Sequence, residues 1–100
     1  MVEIRWTEQA ADDLEAIAEF IANDSPHYAS IFCIDVLAAV ERLNIFPDRG
    51  RIVPEWTNSS VRELILGNYR IIYRRRDELV EVLSVYHSSR LLDPDILKAE

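Results

Sequence analysis

The chain has 100 residues, of which 49% are hydrophobic and 29% charged, and its net charge at pH 7 is −7. This length suits one ordinary globular core, so we expect a single domain over residues 1–100. The sequence has no run of 18 apolar residues and no N-terminal apolar segment, so we expect a cytoplasmic protein. With one cysteine and two histidines, neither a metal site nor a cofactor is expected.

The charge is distributed unevenly along the chain. Residues 1–48 hold ten acidic and two basic side chains, whereas residues 49–92 hold five acidic and eight basic ones. Such charges either keep a small domain soluble or present a cationic surface to an anionic partner. The distribution alone leaves both interpretations open.

The first 24 residues predict a strand and then a helix. Val2, Ile4 and Trp6 alternate with charged residues, which is typical of a half-buried strand. Thr7 is a suitable N-cap for the helix that follows. Apolar residues then recur at three- and four-residue spacing, at Ala10, Leu14, Ile17, Ala18 and Ile21.

A second helix is predicted directly after the first. Ser25 can cap it and Pro26 suits its first position. Its apolar stripe comprises Ala29, Phe32, Cys33, Val36, Leu37, Val40 and Leu43. Because the link is short, we expect an antiparallel helical hairpin that packs against a sheet.

The C-terminal half predicts that sheet. Residues 61–66, 69–74 and 79–87 are rich in β-branched and aromatic side chains, with turns at Gly67-Asn68 and at residues 75–78. Consecutive strands with short turns form an antiparallel meander, and the N-terminal strand should pair with it. The sequence therefore predicts an α+β fold.

A hairpin register with Arg74 opposite Leu79 sorts the side chains of the last two strands into two faces. The face expected under the helices carries Tyr69, Ile71, Tyr73, Val80, Val82, Ser84 and Tyr86. The other face is mixed and carries Arg70, Ile72, Arg74, Leu79, Glu81, Leu83, Val85 and His87. Because free solvent does not favour apolar residues there, Ile72, Leu83 and Val85 are candidate partner-binding residues.

The element order and three sequence segments resemble the RelE/ParE toxin superfamily of bacterial and archaeal type II toxin–antitoxin modules. The segments are "FPDRGRIVPE", "VRELILGNYRIIYR" and "VYHSSR", and the resemblance covers nearly the whole chain. It implies a small toxin held inactive by a cognate antitoxin encoded beside it. A homodimer and a toxin–antitoxin heterotetramer both stay open.

One branch of the superfamily, resembling RelE, cleaves messenger RNA in the ribosome. By resemblance, Arg70 and Arg90 match two arginines of those enzymes, and His87 is a candidate acid or base. Val61 and Glu63 stand where those enzymes place lysines, and the tail "LLDPDILKAE" has no tyrosine or histidine. These departures weigh against a ribonuclease.

The other branch resembles ParE, which acts on DNA gyrase and has no fixed set of catalytic residues. The acidic net charge also suits a protein target better than ribosomal RNA, so gyrase inhibition is the preferred hypothesis. A third hypothesis is a non-toxic module that only binds an antitoxin.

The arginines near the C-terminus are expected to fall into two groups. Arg70, His87 and Arg90 should converge into a cationic pocket for a phosphate or a carboxylate. The alternative for Arg70 is a structural ion pair with Glu81, and the alternative for His87 is a structural hydrogen bond. The cluster at residues 74–76 is expected to be peripheral.

Overall fold

The computed structural model describes residues 1–56, 60–90 and residue 95, and it has the predicted α+β architecture. Its helices are α1 (Glu8–Asp24), α2 (Pro26–Glu41) and a single 3-10 turn, Arg42–Asn44. Its strands are β1 (Glu3–Trp6), β2 (Arg51–Ile52), β3 (Val61–Leu66), β4 (Tyr69–Arg76) and β5 (Leu79–His87). Within this described part of the chain, no helix is long and apolar enough to cross a bilayer.

The strands form one five-stranded sheet in the order β1-β5-β4-β3-β2. β3, β4 and β5 make the predicted antiparallel meander, and the N-terminal strand joins the sheet in parallel with β5. β2 was not predicted, because a strand of two residues is too short to show a period of two.

The two helices meet at a single residue, Ser25, which ends α1 and caps α2. The Thr7 and Ser25 hydroxyl oxygens each accept the backbone N–H three residues later, both over 3.2 Å. These caps satisfy N–H groups that the first turn leaves unpaired. The helical hairpin therefore begins and turns where the sequence predicts.

The helical hairpin packs on the predicted face of the sheet. Ile71 and Val82 are fully buried with Val36 of α2, and Val80 packs beside the 3-10 turn. The Tyr69 ring lies 4.9 Å from the Phe32 ring of α2. The predicted placement of Tyr69, Ile71, Val80 and Val82 is confirmed.

The predicted register of the last hairpin was wrong by two residues. Arg76 lies opposite Leu79 and Arg74 opposite Glu81, so the turn consists of Asp77 and Glu78 alone. Asp77 adopts a φ of 50°, which a tight two-residue turn requires and which aspartate tolerates. A shift of two residues preserves the faces, since side chains alternate with a period of two.

A β-bulge in β5 changes the faces beyond this point. Tyr73 lies opposite Val82, yet Ile72 lies opposite Ser84, so Leu83 is an extra residue. Val85 consequently lies in the core beneath the helices, and Tyr86 packs on the other side of the sheet beside Ile72. His87, opposite Tyr69, lies on the helix side as well, so the predicted faces of Val85, Tyr86 and His87 were wrong.

Contacts from the N-terminal part of the chain hold the bulge. The Thr7 hydroxyl donates to the Val82 carbonyl over 2.8 Å. Asp13 Oδ2 on α1 accepts the Ser84 hydroxyl over 2.6 Å and the Val85 N–H over 3.1 Å. The carboxylate thus satisfies a backbone donor at the irregular step, which would otherwise lose its partner.

The sheet face opposite the helices is covered by the chain itself. Ile72 and Leu83 are fully buried there and pack against Val53 and Val61, with Trp56 beside them. Val53 and Trp56 belong to the loop that follows β2. The prediction that Ile72, Leu83 and Val85 bind a partner chain is therefore wrong, because all three side chains are buried in the core.

Candidate functional site

Arg70 is held in a buried ion pair on the sheet face opposite the helices, and only 6% of its surface is exposed. Its Nε donates to Glu63 Oε1 over 2.5 Å, and its two terminal nitrogens each donate to one oxygen of Glu55 over 2.8 Å. These hydrogen bonds raise the pKa of Arg70, with Glu55 contributing most. Every nitrogen of the guanidinium thus donates to a carboxylate of the chain, through three of its five N–H groups.

Glu63 and Glu81 are the two buried carboxylates that organise the remaining arginines of this face. Glu63 also accepts Nε of Arg51, and Glu81 accepts Arg5 over 2.6 Å. Burial raises the pKa of Glu81, but the hydrogen bond from Arg5 and the charges of two β4 arginines outweigh it and leave the pKa lowered. Both carboxylates are therefore compensated, as buried charges must be.

The partners of Arg70 differ from the structural alternative suggested by the sequence. Glu81 pairs with Arg5, Arg74 and Arg76, not with Arg70. Glu63 could have been found from the two-residue turn at Gly67-Asn68, which puts it opposite Ile72 and diagonal to Arg70. Glu55 had no such signal, because it lies in an irregular loop.

His87 and Arg90 border a cavity on the helix side of the sheet, away from Arg70. The cavity has a volume of about 620 Å³, and its wall includes Asp13, Phe20 and Tyr69. His87 packs edge-on against Tyr69 at 5.2 Å, and its Nδ1 accepts the Ser89 N–H over 3.1 Å. The neutral ring then carries its proton on Nε2. The structure places His87 and Arg90 at one cavity and does not bring Arg70 to them.

The outer surface of α2 is an apolar face without a covering element among the described residues. Ile31, Ile34 and Leu37 follow one another at three-residue spacing and point away from the core, with 37%, 64% and 50% of their surfaces exposed. We call these three side chains the α2 outer face. Because α2 also buries Val36 and Val40 on its other side, it is apolar all round, which is typical of a helix enclosed by partners.

A groove of about 620 Å³ runs beside the α2 outer face, between α1 and α2. Small side chains line most of its floor: Ala18, Ala22, Ala29, Ser30 and Cys33. Glu15 and Glu19 form its α1 rim, and Ile34 is shared with the α2 outer face. The sequence signal for this surface was present in the additional apolar residues of the second helix, Ile31 and Ile34.

A second apolar surface lies in the loop between the 3-10 turn and β2. Ile45 and Phe46 are 65% and 62% exposed, although the loop behind them is firmly held. The buried Tyr73 hydroxyl donates to the Pro47 carbonyl and accepts the Gly50 N–H, both over 2.9 Å. Large apolar side chains on a fixed loop are suited to insertion into a partner's pocket.

Residues 4–92 match the family described as the ParE toxin of the type II toxin–antitoxin system parDE. Among curated proteins, toxin RelE2 of Caulobacter vibrioides is 33% identical over 92 residues, which cover 91% of this chain and all of that protein. The Sinorhizobium fredii protein Y4kP is 38% identical over 88 residues, covering 85% and 86% of the two chains.

A solved structure shares the fold. It is a chain of the chromosomal ParDE TA system from P. aeruginosa, with a TM-score of 0.72 and 24% sequence identity. The match covers 87% of this chain and 96% of that one. That chain therefore shares this fold.

Proposed function

We propose, from the premise that the chain belongs to the ParE toxin family of type II toxin–antitoxin systems, that it inhibits growth by acting on DNA gyrase. Family membership implies a cognate antitoxin as its partner. Gyrase acts on DNA in the bacterial cytoplasm, so the proposal also places the protein there.

The observation that carries this proposal is the sequestration of Arg70. A ribonuclease of the RelE kind needs cationic side chains free to meet a phosphate. Arg70 instead donates hydrogen bonds to Glu55 and Glu63, and it lies on the sheet face opposite His87. A gyrase inhibitor that works by binding requires no such cluster.

We place the antitoxin on the α2 outer face and the adjoining groove. Solvent-exposed apolar side chains at regular spacing form a surface that a partner segment can cover. Ile34→Glu should abolish antitoxin binding, because it puts a charge at the centre of that surface. The matched control is Ile65→Glu, at a comparably exposed position on β3. Equal binding by both variants would contradict this placement.

The loop bearing Ile45 and Phe46 is our candidate for the gyrase contact. A toxin of this family must meet two partners, and the exposed apolar side chains of this loop are separate from the α2 outer face. Phe46→Ser should remove gyrase inhibition while antitoxin binding is retained. Ile52→Ser, at another exposed apolar position, should leave both properties unchanged.

The decisive measurement is a gyrase assay with the purified protein. We expect inhibition of DNA supercoiling and accumulation of cleaved DNA, both reversed by the antitoxin encoded beside the toxin gene. Expression without that antitoxin should arrest growth. Full supercoiling activity in the presence of excess toxin would refute the gyrase proposal, and normal growth would favour a module that only binds antitoxin.

A ribosome-dependent ribonuclease is the second candidate, and the cavity beside His87 and Arg90 is what favours it. That cavity combines a cation, an imidazole and the Tyr69 ring, which suit a phosphate, a proton transfer and a stacked base. His87→Gln tests it directly. Joint loss of toxicity and of ribosome-dependent message cleavage would support the ribonuclease, whereas retained toxicity with gyrase-linked DNA breaks would support the preferred function.

A further inference from the structure

The helical hairpin carries an excess of negative charge, and no ion pair within residues 1–56 and 60–90 neutralises it. Residues 8–41 contain eight aspartates and glutamates and no lysine or arginine, whereas the remaining residues hold ten acidic and eleven basic side chains. The hairpin therefore has a net charge of −8, whereas the remaining residues together have a net charge of +1. Two of these carboxylates, Glu15 and Glu19, line the groove beside the α2 outer face.

The ion pairs of the described residues all lie outside the hairpin. Arg5, Arg51, Arg62, Arg70 and the β4 arginines pair with Asp48, Glu55, Glu63 and Glu81. None of these pairs in the described ranges includes a carboxylate of α1 or α2. Among the residues that the structure describes, the ion pairs thus compensate charges of the sheet half and none of the hairpin.

The arrangement of the α1 carboxylates disfavours the isolated helix. Glu8 and Asp12, and again Glu15 and Glu19, are four residues apart and lie on one side of the helix. Like charges at this spacing destabilise a helix by about 0.2–0.5 kcal/mol per pair. A basic partner would convert this repulsion into attraction.

We propose that the antitoxin segment seated on the hairpin is an amphipathic helix with lysine or arginine along the edge that meets Glu15 and Glu19. This inference rests on the proposed antitoxin docking and adds the chemistry of the partner. Its apolar stripe covers Ile31, Ile34 and Leu37, and its basic edge lies over the α1 rim of the groove.

Two features of the surface favour a helix over an extended strand. The backbone of α1 and α2 is hydrogen-bonded within each helix, so the surface offers no free edge to an extended partner. A segment buried here must satisfy its own backbone groups, which a helix does. The small side chains of the groove floor, Ala18, Ala22, Ala29, Ser30 and Cys33, also permit close helix approach.

The test compares two double charge reversals with the same change in net charge. Glu15→Lys with Glu19→Lys alters the groove rim, and Glu3→Lys with Glu78→Lys alters exposed carboxylates of the sheet half. The probe is the purified protein encoded beside the toxin gene, titrated into each variant by calorimetry at about 50 mM and about 500 mM NaCl. Circular dichroism verifies that both variants fold.

The rim variant should bind about five- to twentyfold more weakly at low salt, since each exposed ion pair contributes about two- to fivefold. The sheet-half variant should change affinity by no more than about twofold. Wild-type affinity should fall with salt, and that of the rim variant should fall less.

The contrary outcomes are distinguishable. If the probe binds wild type but the rim variant binds equally well or more tightly, the basic-edge inference is wrong while antitoxin docking stands. If the probe binds wild type without salt dependence, the inference is likewise overturned. If the probe does not bind wild type at all, the proposed antitoxin partnership falls and the inference falls with it.

Discussion

Replacing Arg70 by methionine should destabilise the fold strongly, because the guanidinium neutralises two carboxylates. Methionine keeps an unbranched chain in the same space, so the variant separates lost charge from lost volume. In the variant, the fully buried Glu63 keeps only its contact with Arg51, and Glu55, whose side chain is 33% exposed, is released to solvent. The two carboxylates therefore contribute unequally to the loss of folding stability.

The magnitude follows from their different burial. A buried charged acceptor that loses a donor costs about 1.5–3 kcal/mol. Loss of the partly exposed Glu55 pair adds about 0.5–1 kcal/mol. The free energy of unfolding at neutral pH should therefore fall by about 2–4 kcal/mol, near the lower end for a broken buried pair because Arg51 remains. For a chain of this length, Tm should fall by about 10–20 °C.

Urea denaturation followed by tryptophan fluorescence is a suitable assay, because Trp56 packs against the cluster beside Arg70. Arg76→Met is the matched control, since Arg76 is half exposed and Glu81 retains Arg5 and Arg74. The free energy of unfolding of the control variant should fall by less than about 1 kcal/mol. Equal losses for the two variants, at an unchanged m-value, would refute the structural role of Arg70.

Three further predictions concern pH, a buried hydroxyl and a turn. The hydrogen bond from Arg70 lowers the pKa of Glu55, and the pKa of Glu81 is also lowered although burial opposes it. The unfolded chain therefore binds more protons in acid, so this stabilisation is complete above the ordinary pKa of 4.5 and is lost as pH falls through the lowered values. The urea midpoint should therefore be lower at about pH 3 than at about pH 6. An equal or higher midpoint at the lower pH would contradict the sign. Tyr73→Phe leaves the Gly50 N–H without its acceptor and should cost about 1–3 kcal/mol; an unchanged urea midpoint would show that the hydroxyl does not hold the loop. Gly67→Ala should cost about 1–2 kcal/mol from its left-handed backbone alone, because φ is 58° and a methyl group there meets no atom within 4 Å; a thermal melt matching wild type would contradict this.

The sequence by itself determined the two helices, the other four strands and their order, but neither β2 nor the 3-10 turn, because each of the predicted elements has a local pattern long enough to recognise. Strands 61–66 and 79–87 match the observed bounds of β3 and β5, and the helix starts at Thr7 and Ser25 follow from single capping side chains. The face of β4 beneath the helices was also predictable. A register error of two residues leaves alternation unchanged, so Tyr69 and Ile71 kept their predicted side.

Only the tertiary structure decided which residues share a site. The bulge at Leu83 moves Val85 into the helix-side core, and it is held by Thr7 and Asp13, which lie more than 70 residues away in the chain. Arg70 pairs with Glu55, which lies in an irregular loop without any periodic pattern of side chains. Both outcomes depend on contacts between distant segments, and a local pattern of side chains carries no information about which segments meet.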